Sequence, residues 1–232
     1  MGNMNLKVNR LPLITTYYYY SVQTRGMVIL DTKLKEILKE LEGFGKENDA
    51  IETDRSKRMR NVTPETGQFL SFMVSITKAK SILEIGTSNG YSTLWLSDGT
   101  LGNGEIITTI EFSSEKAQLA KENFAKANLE KQINLVVTDA GEYIKEIEPN
   151  SVDFIFLDSD RKEYIDWWRD LRSCLKRNAI MIVDNITSHE SELQEFVHLV
   201  STDEHVTSMQ LPLGCGLLLV KKNTDLSNEV DE

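Results

Sequence analysis

The side chains best equipped for chemistry in this sequence are acids, and they recur in one place, at the end of a short apolar run. Ser81-Ile82-Leu83-Glu84-Ile85 leads into Gly86-Thr87-Ser88-Asn89-Gly90-Tyr91-Ser92, and Glu105–Ile110 leads into Glu111. Ile133–Val137 is followed by Asp139-Ala140, Val152–Leu157 by Asp158-Ser159-Asp160-Arg161, and Ile180–Val183 by Asp184-Asn185. Glycines after a strand let a ligand come close to the backbone before a helix begins. The dinucleotide fingerprint Gly-x-Gly-x-x-Gly wants a second glycine where this chain has Ser88, which weakens a pyrophosphate ligand. An acid ending the next strand, here Glu111, can accept hydrogen bonds from both hydroxyls of a ribose. Asp139-Ala140 is placed to meet an adenine edge. The set points to an adenosine ligand without a pyrophosphate, and S-adenosylmethionine, whose sulfonium cation suits an acidic pocket, fits it.

Asp158, Asp184 and Asn185 form a second constellation. Two carboxylates and an amide make an all-oxygen set that suits Mg²⁺ better than Zn²⁺. On residue types alone this reading stands level with a bland one, in which Asp158 or Asp160 caps a helix and Asp184-Asn185 makes a turn.

These placements require the apolar runs to be strands of one sheet. From Pro64 onward strand and helix alternate. Tyr91–Leu96 reads as a helix, and Ser113 or Ser114 caps another with Ala117, Ala120, Phe124 and Ala127 on one face. Tyr164, Trp167, Trp168, Leu171 and Leu175 form an apolar stripe that reads as core rather than as a cofactor box. A helix with Leu193, Phe196, Val197 and Val200 on one face follows. His205–Leu211 and Leu217–Val220, parted by Pro212 and Gly214-Cys215-Gly216, read as a closing hairpin. The pattern predicts a mostly parallel sheet covered on both faces, with an antiparallel edge. In such a sheet ligands bind outside the carboxyl ends of the strands, where the acids lie.

Ahead of this region, Leu34, Ile37, Leu38 and Leu41 mark an amphipathic helix capped by Asp31 and ending at Gly43. Glu47, Asp49, Glu52 and Asp54 then precede Arg55, Lys57, Arg58 and Arg60, a pattern that reads as a solvated helix or connector rather than a binding patch. The predicted organisation is an N-terminal arm and helical extension over 1–60, a catalytic domain over 61–222 and a polar tail over 223–232. The arm holds Tyr17 to Tyr20, which could pack on a partner subunit.

The 232 residues include 26 Lys+Arg against 36 Asp+Glu, a formal charge of −10 that disfavours general nucleic-acid binding. Cys174 and Cys215 lack metal-ligand spacing and read as reduced thiols of a cytosolic protein. No apolar run reaches the roughly 18 residues that a membrane span needs. Lys7 and Arg10 before Leu11-Pro12-Leu13-Ile14 faintly suggest a signal peptide, but the tyrosines break the run. A soluble, cytoplasmic protein is expected.

With these residues in view, the sequence resembles the cation-dependent class I O-methyltransferases, which include catechol and caffeoyl-CoA O-methyltransferases. The resemblance covers roughly residues 58–221. It rests on Asn61-Val62-Thr63-Pro64-Glu65-Thr66-Gly67-Gln68-Phe69-Leu70, on Leu83 to Ser92, on Ile110-Glu111, on Asp153 to Arg161 and on Val183-Asp184-Asn185. It implies a Rossmann-like α/β fold with a mostly parallel seven-stranded sheet, an antiparallel C-terminal hairpin and helices on both faces.

The resemblance also implies roles. Val62 would close over the methionine part of S-adenosylmethionine, and Gly86 with Ser92 would hold its carboxylate end. Glu111 would bind the ribose, Asp139 and Ala140 the adenine, and Asp158, Asp184 and Asn185 a divalent metal such as Mg²⁺. Glu84, Ser88, Asp158 and Asp160 complete the candidate cofactor contacts. Asp158 and Arg161 are the candidate catalytic residues. At position 161 many members carry a lysine general base, whereas an arginine stays protonated and cannot take a proton easily. Deprotonation would then rest on the metal. Arg161 could instead hold an anionic group of the substrate or make a plain salt bridge. Ile186 to Glu190 lacks the glycine-containing loop common in the family, and His189 is a candidate base or further ligand. The implied activity is methyl transfer to a hydroxyl of a catechol-like phenol by a homodimer. A tRNA hydroxyuridine methyltransferase using Arg55–Arg60 and a non-catalytic S-adenosylmethionine-binding protein are the alternatives.

Overall fold

A computed structural model describes residues 32–100 and 105–224. The elements in chain order are α1 (Thr32–Ile51), α2 (Pro64–Thr77), β1 (Ser81–Ile85), α3 (Tyr91–Gly99), β2 (Ile106–Glu111), α4 (Ser114–Ala127), β3 (Ile133–Val137) and α5 (Ala140–Lys145). There follow β4 (Val152–Leu157), α6 (Tyr164–Cys174), β5 (Leu175–Val183), α7 (Glu190–Ser201), β6 (Val206–Leu211) and β7 (Leu217–Lys222). Short 3₁₀ turns occupy Arg55–Lys57 and Arg161–Glu163.

The seven strands form one sheet in the order β3-β2-β1-β4-β5-β7-β6. The first five run parallel, and β7 is antiparallel to both β5 and β6, as the expected fold class requires. β1 and β4 are almost continuously buried because helices cover both faces, hence their largely apolar sequences. Side chains alternate across the sheet. Phe154 and Phe156 pack with Leu38, Leu70, Leu94 and Phe124 on one face. Ile155 and Leu157 pack with Ile144, Tyr164, Trp168 and Phe196 on the other.

The register positions the site. Ile85 pairs with Ile110 on one side and Leu157 on the other, and Leu157 pairs with Val183. The residues that follow, Gly86, Glu111, Asp158 and Asp184, therefore leave the sheet at one level. Chain order reverses direction between β1 and β4, so this level is a topological switch point, where the loops part and leave a crevice.

Several expectations are corrected. α1 does not end at Gly43 but continues to Ile51. A Cβ at Gly43 would meet nothing within 4 Å, so this glycine serves no turn, and a lone helical glycine costs only about 1 kcal/mol. The last turns are tied down instead: Met59 N–H donates to Asn48 Oδ1 (3.1 Å) and Asp49 Oδ1 (2.7 Å), and Arg60 N–H to Asp49 Oδ2 (2.8 Å). β5 begins at Leu175, which pairs with Val152, so Leu175 belongs to the strand rather than to the aromatic stripe of α6. β2 and the hairpin strands shift by a residue or two, and α3 extends to Gly99. α2, with Pro64 in its first turn and Thr63 Oγ1 accepting from Thr66 N–H, and the short α5 add to the predicted elements. Asp31 and Tyr17 to Tyr20 lie outside the described residues, as does most of the tail. No helix among the described residues is long and apolar enough to cross a membrane.

Candidate active site

The glycine turn after β1 is built for contact between backbones. Gly86 has φ +106°, and a Cβ there would lie 1.9 Å from the carbonyl oxygen of Asp158. The turns leaving β1 and β4 thus touch across the switch point. Ser88 takes φ +50°, and its N–H donates to Glu111 Oε2 (2.8 Å). Ser113 N–H donates to Glu111 Oε1 (2.8 Å). The Glu111 carboxylate is fixed at both oxygens by backbone and keeps further lone pairs for hydroxyls.

Glu84 departs from its expected place on the rim. It is fully buried in β1, where Ser92 Oγ donates to Oε1 (2.6 Å), and Thr109 Oγ1 (2.6 Å) and Thr93 Oγ1 donate to Oε2. Thr87 Oγ1 lies 2.6 Å from Thr109 Oγ1 and extends the chain of hydroxyls. Burial pushes the Glu84 carboxyl up to about 7, against the three donated hydrogen bonds. Ser92, which donates to it, lies in the first turn of α3.

The segment read as a solvated connector is a strap over this turn. Ser88 Oγ donates to the carbonyl of Met59 (2.8 Å), and Lys116 Nζ, from the first turn of α4, donates to the carbonyl of Arg58 (2.8 Å). Arg58 Nε turns back to the carbonyl of Glu52 (2.8 Å). Nothing in this arrangement favours the tRNA reading. Met59 and Val62 are buried residues of the strap, and Val62 precedes the cap of α2.

Across the switch point, Asn185 Nδ2 donates to Asp158 Oδ1 (2.8 Å). Asp184 is only 3% exposed, and its Oδ1 is buried without a hydrogen-bond partner. Burial raises both carboxyls above the ordinary aspartate range; Asp158 further raises Asp184, while Arg161, Arg60 and Asn185 hold Asp158 down. A buried oxygen with no donor, beside a second acid, is a site short of positive charge; the Asn185 amide turns its Nδ2 to Asp158, and its Oδ1 accepts from Ser188 Oγ (3.2 Å). The three side chains fit a hard divalent cation by donor type. Among the described residues no cluster of three or more His, Cys, Asp or Glu side chains could hold a metal ion.

Of the other predicted residues, Asp139 caps α5 through Glu142 N–H (3.0 Å), and Ala140 opens that helix. Asp160 caps the 3₁₀ turn through Lys162 N–H, the bland role weighed for it. Arg161 Nε donates to Glu192 Oε2 (2.9 Å), the plain salt bridge. His189 Nδ1 lies 2.9 Å from Ser188 Oγ, which in turn lies 3.2 Å from Asn185 Oδ1. Burial and Arg161 lower the His189 imidazole.

Sequence reasoning passed over three side chains here. Tyr164, read as core, receives Ser159 N–H on its hydroxyl (2.6 Å) and donates to the Ser159 carbonyl (3.2 Å), fixing the turn that carries Asp158. Trp167, also read as core, lies against Gly141, where a Cβ would sit 2.7 Å from its Nε1. Phe112, directly after Glu111, is 79% exposed. An aromatic directly after the strand-end acid Glu111 is the signal in the sequence.

A model of the O-methyltransferase family matches residues 30–223. The catechol O-methyltransferase of Mycobacterium tuberculosis is 30% identical over 128 residues, covering 54% of this chain and 56% of that protein. That of Niastella koreensis is 28% identical over 138 residues, 58% of this chain and 62% of that one. Among solved structures, the O-methyltransferase from Bacillus cereus in complex with SAH is similar with a TM-score of 0.69 and 24% identity, over 85% of this chain and 94% of that one. TomG from Streptomyces achromogenes, in complex with SAM, gives a TM-score of 0.69 at 19% identity over 85% and 92%. The structural likenesses bear on the fold, and the family match spans most of the sequence: the chain belongs to the O-methyltransferase family.

Proposed function

We propose that this chain transfers the methyl group of S-adenosylmethionine to a hydroxyl of a small, catechol-like phenol, with help from a divalent cation. The observation that carries the reading is the meeting of two constellations at one switch point. Glu111, held by Ser88 and Ser113, faces the crevice from β2, and the Asp158–Asn185–Asp184 set faces it from β4 and β5. A nucleoside cradle beside an oxygen-donor set places a methyl donor next to an acceptor. The names of two relatives as catechol O-methyltransferases support the acceptor class.

The roles follow from placement. Glu111 takes the ribose hydroxyls, and Phe112 offers the adenine a flat apolar face. Val62 covers the methionine end from the strap, while the Gly86 turn and Ser92 take its carboxylate end. Asp139 and Ala140 flank the base. Asp158, Asp184 and Asn185 would hold the cation, which in that position lowers the pKa of an acceptor hydroxyl. Arg161 stays protonated and serves as a positive neighbour, not as a base. Tyr164 keeps Asp158 in place.

Calorimetric titration with S-adenosylhomocysteine and a turnover assay with a catechol, with and without EDTA, test the reading. Binding of the cofactor product, and methylation that EDTA and Asp184→Ala both suppress, are expected. No binding sinks the proposal entirely. Undiminished methylation in EDTA sinks the role of the cation.

A further inference from the structure

Two side chains tie the strap to the crevice, and both belong to the turns that hold Glu111. Ser88 N–H donates to Glu111 Oε2 (2.8 Å), and the Oγ of the same residue donates to the Met59 carbonyl (2.8 Å). Ser113 N–H donates to Glu111 Oε1 (2.8 Å), and Ser113 Oγ accepts from the N–H of Lys116 (3.3 Å), whose Nζ donates to the Arg58 carbonyl (2.8 Å). Two chains of hydrogen bonds thus run from the two oxygens of one carboxylate to two consecutive carbonyls of the strap. The chain through Ser88 is the shorter, because one residue makes both of its bonds.

On its other side the strap is fastened to α1. Asn48 and Asp49 take the N–H groups of Met59 and Arg60, and Asn61 Nδ2 donates to the Leu41 carbonyl (2.9 Å). Met59 and Val62 are buried, so the strap brings apolar surface to the crevice. β1 lies between β2 and β4 in the sheet. A cofactor with its ribose at Glu111 and its methyl group near Asp158 has to cross the end of β1, where Ser88 ties the strap down. Ser88 takes φ +50°, a conformation that glycine adopts freely and serine does not. A serine there brings a hydroxyl that glycine lacks, and that hydroxyl is spent on the strap.

We propose, resting on the S-adenosylmethionine reading above, that Ser88 is a positioning residue for the methionine half of the cofactor. Its Oγ holds the strap closed over that half, while its N–H holds the acid that takes the ribose. Lys116 supplies the second tie.

The test uses the full chain, titrated calorimetrically with S-adenosylhomocysteine and with adenosine, which keeps the base and ribose and lacks the amino-acid end. Ser88→Gly and Ser88→Ala both retain the N–H for Glu111 and remove the hydroxyl, and the glycine variant also relieves the backbone. Both are expected to bind S-adenosylhomocysteine about tenfold more weakly, and adenosine within about twofold of wild type. Val62→Ala should show the same pattern. Combined with Ser88→Gly it should cost less than about threefold beyond either change alone, since both act through the strap. Without ligand, the Met59 and Arg60 amides should exchange hydrogen about fivefold faster in Ser88→Gly. Unchanged affinity for S-adenosylhomocysteine in the Ser88 variants, an equal loss with adenosine, or penalties that multiply in the double variant overturns the proposal. Unchanged exchange of the strap amides overturns it whatever the cofactor. A wild type that binds neither ligand fails the cofactor reading, and the exchange measurement still decides whether Ser88 holds the strap.

Discussion

Replacing Glu84 by glutamine should change how stability depends on pH, in a direction fixed by where that carboxyl sits. In the unfolded chain it titrates near 4.5, and in the fold at about 7, because full burial outweighs the hydroxyls of Ser92, Thr93 and Thr109. Below pH 4.5 both states carry the proton and the group has no ionisation cost. Between 4.5 and 7 the unfolded chain loses the proton while the fold keeps it, so the unfolded state binds fewer protons and stability falls as pH rises. Above 7 the loss is complete, at about 3 kcal/mol, each pH unit of that window being worth about 1.4 kcal/mol. The Glu84→Gln variant has no such transition. Its amide oxygen can keep Thr93 and Thr109, and its amide nitrogen can donate to Ser92 if that hydroxyl turns outward. Urea unfolding of both proteins at steps from about pH 4.5 to 8 gives the difference in stability, in which the titration of Asp158 and Asp184 largely cancels. That difference should move in favour of the variant by about 2 to 3 kcal/mol across the range. A flat difference would refute the claim that Glu84 is buried against its own ionisation and would return it to the solvated rim.

Other substitutions probe the rest of the site. Gly86→Ala should cost about 3 kcal/mol or more, because the new Cβ would stand 1.9 Å from the Asp158 carbonyl at φ +106°; a melting temperature within a degree or two of wild type would contradict this. Phe112→Ala should weaken S-adenosylhomocysteine about tenfold while leaving stability almost unchanged, since 79% of the side chain is exposed, and calorimetry with thermal unfolding on the same sample separates the two effects. Asp184→Asn should make the metal-free protein more stable, by about 1 kcal/mol, because it removes one of two adjacent buried acids, while methyl transfer collapses; a variant that is destabilised and still active would reverse both assignments. Tyr164→Phe should leave Ser159 N–H without its partner, costing about 1 to 2 kcal/mol, with kcat falling more than cofactor affinity, as steady-state kinetics against calorimetry would show.

How much is legible in the sequence depends on how local each signal is. Interior strands of the sheet are largely apolar, so β1, β2, β4 and the end of β5 stand out, and whatever follows such a run has to lie at a strand end. Glu111, Asp158, Asp184 and Asn185 are legible for that reason. α5 is too short to show a helical period, and α1 passes through Gly43 because contacts from Asn48 and Asp49 to the strap hold its end. The strap itself is illegible: Ser88 meets Met59 at a separation of 29 residues and Lys116 meets Arg58 at 58, and no local pattern encodes such pairings.

The charge of −10 shows the same limit from the other side. Six acids on one rim would repel each other, and such crowding would demand cations. The fold relieves much of it without any. Glu84 withdraws into the sheet among hydroxyls, Asp139 and Asp160 cap helical turns, and Glu111 is held by two backbone N–H groups. Asp158 and Asp184 remain as buried neighbours, and Asp184 Oδ1 is buried with nothing donated to it. A divalent cation is therefore called for by two side chains, Asp158 and Asp184, and not by the acidity of the chain as a whole.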